Sequence, residues 1–101
     1  DLRKGALPLL DKIASILKKT PNDIYIEGHT DNLPIHTEKY PSNWELSAAR
    51  AVSVGKYFIK KGISPSRIGA EGYADSRPLF PNDTKKHRAL NRRVEILILK
   101  R

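Results

Sequence analysis

The sequence predicts an α/β protein, an α+β sandwich in which helices pack on a mixed sheet. Three observations lead there. Two segments, 5–19 and 43–61, carry apolar residues at helical spacing. Segments 24–28, 67–73 and 92–100 alternate or run apolar in the manner of strands. Helix and strand then follow one another along the chain, the order expected when helices cover a sheet.

The first helix lies in "GALPLLDKIASILKK", with Leu9, Leu10, Ile13, Ile16 and Leu17 as its apolar stripe. Pro8 falls in the first turn, where a missing N–H does least harm, and the Lys-rich end suits the helix dipole. "TPND" reads as a turn. Next comes a strand, in which Ile24, Ile26 and Gly28 alternate with Tyr25 and Glu27. Residues 29–42, "HTDNLPIHTEKYPS", form a loop longer than most connections, the kind that often carries function.

From Asn43 the second helix is well marked. Ser42 or Asn43 caps it, and Glu45 completes a capping box with Ser42. Its stripe runs through Trp44, Ser47, Ala48, Ala51, Val54, Gly55 and Phe58, mostly small residues that allow close packing on a sheet. Gly62 ends it as a C′ glycine. The strands on either side should be parallel with a right-handed crossover. A short helix is expected over 84–90. The last strand, "RRVEILILK", is apolar on both faces and reads as an interior strand.

A chain of 101 residues is expected to be one domain, 1–101. With 39% hydrophobic and 30% charged residues it has an ordinary globular composition. The absence of Cys excludes disulfides and thiolate metal sites. Lys and Arg total 19 against 11 acids, and a net charge of +8 favours an anionic partner or surface. No apolar run approaches the roughly 20 residues that span a bilayer. The chain opens at Asp1 without an initiator Met, so it is expected to be a fragment of a longer protein with anchors or targeting segments upstream.

His29 and Asp31 at a strand end invite a catalytic or metal reading. Zinc wants three or four ligands, and His36 and His87 stand at no recognisable ligand spacing, so no metal is expected. No nucleophile elbow accompanies the several Ser residues, so no enzyme activity and no cofactor are expected. His29 reads as a strand-end residue whose ring bonds nearby backbone. Asp31 admits two readings, an Asx-turn or loop cap, and the acidic half of a clamp. Arg50, two turns into the second helix, is either a solvated or salt-bridged surface residue or the cationic half. Paired across the loop, the two would suit a zwitterion, Asp31 taking an ammonium and Arg50 gripping a carboxylate in bidentate fashion. Arg92 and Arg93 point to opposite faces, and either could border the pocket. "KKHRALNRR" lacks interleaved aromatics, so it reads as a surface segment and not as a nucleic-acid patch.

"IYIEGHTDN", "NWELSAARAVSV", "RIGAEGYADSRP" and "RALNRRVEI", in this order, resemble the OmpA-like peptidoglycan-binding domain over roughly residues 6–99. Within that family, "GHTDNLPI" followed by "YPSNWELSAARA" is similar to the flagellar motor stator B type, proton- or sodium-driven; porin and lipoprotein members usually have a shorter loop here. The resemblance implies a βαβαβ fold whose first strand precedes this chain. It also implies noncovalent binding of the peptidoglycan stem peptide, with Asp31 and Arg50 on its amino and carboxylate groups and Thr30, Asn43 and Leu46 around them. It further implies a homodimer, a stator A-type membrane subunit reached through the upstream region, and a single-pass parent whose domain faces the wall from the cytoplasmic membrane. The alternatives are a wall anchor for an outer-membrane porin or lipoprotein, a wall hydrolase, and a basic nucleic-acid binder. Ala74-Asp75 stands where many members have Gly-Glu, with little effect expected.

Overall fold

The computed structural model describes residues 2–99. A single 3-10 turn, Lys4–Ala6, leads into α1 (Leu7–Lys18), and β1 (Asp23–His29), α2 (Asn43–Lys60), β2 (Ile68–Gly72), α3 (Lys85–Asn91) and β3 (Arg93–Leu99) follow. The sheet has the order β2-β1-β3, with β1 parallel to β2 and antiparallel to β3. The mixed sheet and the parallel β1-α2-β2 unit are as expected.

Alternation along β1 decides what lies on each side of the sheet. Ile24 and Ile26 enter the core beside Leu10, Ala14 and Leu17 of α1 and Ala51, Val54 and Phe58 of α2. Fully burying Phe58 or Leu17 contributes about 1.5–3 kcal/mol each. Gly28 lies on the same side, and a Cβ there would sit 2.0 Å from the carbonyl oxygen of Ser47. A Cβ at Gly72 would lie 2.4 Å from the backbone nitrogen of Ala48. The first turns of α2 therefore rest directly on strand backbone. Tyr25, Glu27 and His29 project from the opposite face.

The caps form where local chemistry places them. The Ser42 hydroxyl accepts from the Trp44 N–H at 3.2 Å and donates to the Glu45 carboxylate. At the other end Gly62 has φ +105, its N–H reaches the Ile59 carbonyl at 3.0 Å, and the Ile63 N–H reaches the Phe58 carbonyl at 3.1 Å. Those two bonds make a Schellman motif. Thr84 caps α3 through the His87 N–H.

Three expectations need correction. β3 is an edge strand among the described residues, and Leu97, Ile98 and Leu99 stay exposed. Its composition reports two apolar faces but cannot report how many strands flank it. Its expected last residue, Lys100, lies outside the described residues. Leu9 and Ile16 of α1 and Trp44 of α2 point to solvent, Trp44 with 54% of its surface exposed. α1 meets the core along the narrower stripe Leu10, Ala14 and Leu17, and Trp44 sits on the first turn of α2, beyond the sheet's end. Among the described residues, no helix is long and apolar enough to cross a membrane.

Candidate functional site

β1 delivers His29, Thr30 and Asp31 to the end of the sheet, and all three are buried. The Thr30 N–H bonds the Ala74 carbonyl at 2.8 Å, and its hydroxyl donates to the Asp31 carbonyl at 2.9 Å. Ser47 holds the opposite side of this junction, donating to the Trp44 carbonyl and accepting from the Ala74 N–H, each at 3.0 Å. Ala74 is pinned with φ +52, a left-handed conformation that glycine adopts more easily.

Asp31 retains only 6% exposure, yet its carboxylate is fully engaged. Oδ1 accepts the Leu33 N–H at 3.0 Å, an Asx-turn, and Oδ2 pairs with Nη1 of Arg92 at 2.6 Å. Asn43, the first residue of α2, donates its amide to the Leu33 carbonyl at 3.1 Å and fixes the loop that carries Asp31. Leu46, one turn on, is partly buried.

The guanidinium that pairs with Asp31 is thus Arg92, where the charge argument had placed Arg50. The register explains this. β3 pairs antiparallel with β1, with Arg93 opposite His29, so Arg92 arrives beside the residues that follow His29. Arg50 lies seven residues into α2, about 10 Å along the axis from its first turn. Among the described residues Arg50 makes no hydrogen bond or ion pair. It is partly buried, and burial, followed by the neighbouring charges of Arg3 and Arg92, pushes its pKa down. Tyr40 and Asp31 act in the opposite sense, so the Asp31 carboxylate is within electrostatic reach.

Arg50 opens onto a cavity of about 480 Å³. Arg3, Arg92, Arg93 and Val94 line it as well, and Ala6 and Ala89 leave room for a guest. The walls are strongly cationic, and Asp31 stands behind Arg92. Arg93 is braced elsewhere, by Glu95 at 2.5 Å and by the carbonyls of Arg77 and Asn91. The fully buried Asn91 takes the N–H groups of Leu79 and Phe80 on its side-chain oxygen and donates to the Phe80 carbonyl and the Asn82 side chain. It thereby fixes the end of α3 from which Arg92 departs.

His29 departs from expectation. Its ring bonds no backbone, and neither nitrogen has a hydrogen-bond partner, although only 1% of the residue is exposed. It stacks on Tyr73 with centroids 5.5 Å apart, and Arg77 covers the Tyr73 ring at 3.7 Å. Burial first, and the charge of Arg93 second, lower the His29 pKa, so the ring is held neutral. His36 lies apart, bonding the Pro41 carbonyl within the loop.

The OmpA family model matches residues 1–92. The chain belongs to the OmpA family. It is 55% identical over 98 residues to the uncharacterized protein YtxE of Bacillus subtilis, covering 96% of this chain and 40% of that protein. It is 40% identical over 102 residues to motility protein B of Bacillus subtilis, covering 99% and 39%. Among solved structures, a MotB-like protein from Desulfovibrio vulgaris superposes with TM-score 0.92 at 37% identity, covering all of this chain and 66% of that one. The cell wall anchor of the type VI secretion system from Pseudomonas aeruginosa superposes with TM-score 0.88 at 43% identity, covering 95% and 67%. The fold expected from the sequence is thus the fold of these relatives. The chain spans about two fifths of the length of the two Bacillus subtilis relatives.

Proposed function

We propose that this OmpA-family domain binds peptidoglycan noncovalently and anchors a flagellar motor stator to the cell wall. The observation that carries the reading is the Arg50 guanidinium. It is partly buried, without a partner among the described residues and crowded by other cations, and it opens onto a cavity beside the Asp31–Arg92 pair. A cation in that position is stabilised by a carboxylate, and a carboxylate that also carries an ammonium can reach toward Asp31, which stands behind Arg92. The amino-acid end of a peptidoglycan stem peptide has that chemistry. Thr30, Asn43 and Leu46 would shape the rim, and Arg92 would share or yield Asp31 as the ammonium arrives.

The motor assignment rests on likeness to motility protein B and to the MotB-like structure. In this reading the domain works as a homodimer on the wall-facing side of the cytoplasmic membrane. An upstream single-pass segment would reach a stator A-type membrane subunit. Anchoring is mechanical, so it calls for paired sites and avidity and not for turnover. The likeness to a secretion-system wall anchor supports gripping the wall in a second setting, and an outer-membrane porin or lipoprotein is a third.

Pull-down with purified peptidoglycan tests the clamp. Asp31→Ala and Arg50→Ala should each retain the fold by circular dichroism and lose sedimentation with the sacculi. Parent-level binding by both variants would refute the clamp, and release of soluble muropeptides by the parent chain would refute a purely anchoring role.

A further inference from the structure

The sheet face opposite the helices carries an arrangement that wall binding does not use. Glu27 of β1 is in direct register with Glu71 of β2 on one side and Glu95 of β3 on the other. The three side chains share one face, because Ile26 and Ile96 turn the other way into the core or against it. Like charges directly opposite one another on a sheet destabilise it. Arg93 balances only part of that charge, through Glu95 Oε2 at 2.5 Å.

Beside these carboxylates stands His29, two residues from Glu27 and therefore on the same face. Its Nε2 is 3.4 Å from Glu27 Oε1 and 3.8 Å from Glu95 Oε2, without hydrogen-bond geometry to either. A buried imidazole with no proton partner, aimed between two carboxylates, is costly unless something accepts its lone pair. One ligand atom from each of Glu27, His29 and Glu95 lies within 4.8 Å of the others.

We propose that Glu27, His29 and Glu95 bind a divalent first-row metal ion, of which Zn²⁺ is the natural probe. Donors on a tetrahedral zinc with ligand bonds of about 2.0–2.2 Å stand about 3.3–3.6 Å apart. The His29–Glu27 separation already matches, the His29–Glu95 separation is within about 0.5 Å, and the two carboxylates need to close by at most about 1.5 Å. One nitrogen and two carboxylate oxygens suit zinc and its neighbours better than Mg²⁺ or Ca²⁺, which favour all-oxygen shells. Two carboxylates neutralise the ion. Three protein ligands leave one position for water. Glu95 Oε2 is both the oxygen nearest His29 and the one that holds Arg93, so Arg93 would pass to Oε1 as the ion binds. Bound there, the ion would tie β1 to β3 across their antiparallel pairing.

The test uses the full chain carrying His36→Asn and His87→Asn, so that exposed imidazoles cannot contribute, stripped with EDTA and titrated calorimetrically with zinc chloride. One ion should bind per chain, the melting temperature should rise with zinc, and the His29 imidazole nitrogen resonance should move. Glu27→Gln and Glu95→Gln remove charge at nearly constant shape. Each should fold and weaken zinc binding roughly tenfold or more. Glu38→Gln, which removes an exposed carboxylate outside the cluster, should bind zinc like the parent. The absence of saturable binding at one equivalent, or unchanged binding in both Gln variants, would overturn the proposal.

Discussion

The pairing of Asp31 with Arg92 can be measured against the pairing that charge complementarity alone suggests, Asp31 with Arg50. The perturbation is a double-mutant cycle on stability, with Asp31→Ala, Arg92→Ala and Arg50→Ala singly and in the two pairs. Charges 2.6 Å apart attract by about 1.6 kcal/mol in bulk water and by about 6 kcal/mol at an effective permittivity of 20. The Arg92 side chain is 44% exposed, so solvent screening holds the coupling near the lower figure, at about 1–2 kcal/mol. Arg92→Ala leaves the buried Asp31 with only the Leu33 N–H, and should lower the melting temperature by about 5–10 °C. Among the described residues Arg50 has no ion pair to lose, so its stability coupling with Asp31 should stay below about 0.5 kcal/mol. Urea unfolding read by circular dichroism gives each corner of the cycle. A coupling of Asp31 to Arg50 as large as its coupling to Arg92 would refute the register argument.

Gly28→Ala drives a Cβ into the Ser47 carbonyl, which α2 cannot evade without leaving the sheet, so a loss of about 3 kcal/mol or more is expected in the same urea assay; a loss under about 1 kcal/mol would mean that the helix does not rest on this strand. Asp11 of α1 meets Tyr57 of α2 and Lys61 just past its end, and the Tyr57 hydroxyl first, with Lys61 assisting, lowers its pKa below the usual 3.8. A depressed carboxyl pKa stabilises the fold above the unfolded value and ceases to do so as pH falls through the folded one. The stability gap between the parent and Asp11→Asn should therefore be constant near neutrality and narrow as pH falls below about 4; a gap that widens with acidification would contradict that linkage.

What the sequence discloses and what it hides divide along a physical line. Ser42 with Glu45, Gly62 and Thr84 are local devices, each acting on backbone a few residues away, and the chain order exposes them directly. The alternation of Ile24, Ile26 and Gly28 with Glu27 and His29 is equally local. Pairing is not. Arg92 and Arg93 are adjacent, and only the register of β3 on β1 decides that Arg92 meets Asp31 while Arg93 turns to Glu95. The same register brings Glu95 to Glu27, which no spacing along the chain announces. The edge position of β3 and the exposure of Trp44, Leu9 and Ile16 are hidden for a related reason, since apolar composition reports what could be covered and not what covers it.

β1 connects the two regions through its pleat. Its even-numbered positions set the height of α2 over the sheet, with Gly28 at the closest approach, and that height fixes where Arg50 opens onto the cavity. Its odd-numbered positions hold Glu27 and His29 on the far face, opposite Glu95 and Arg93. A slip of β3 by one residue would turn Glu95 to the helices and carry Arg92 away from Asp31. Whatever ties Glu27 to Glu95 therefore also defends the geometry of the Asp31 site. If a metal ion supplies that tie, zinc should increase the Asp31–Arg92 coupling energy without touching either residue, and the double-mutant cycle repeated with and without zinc would register the change.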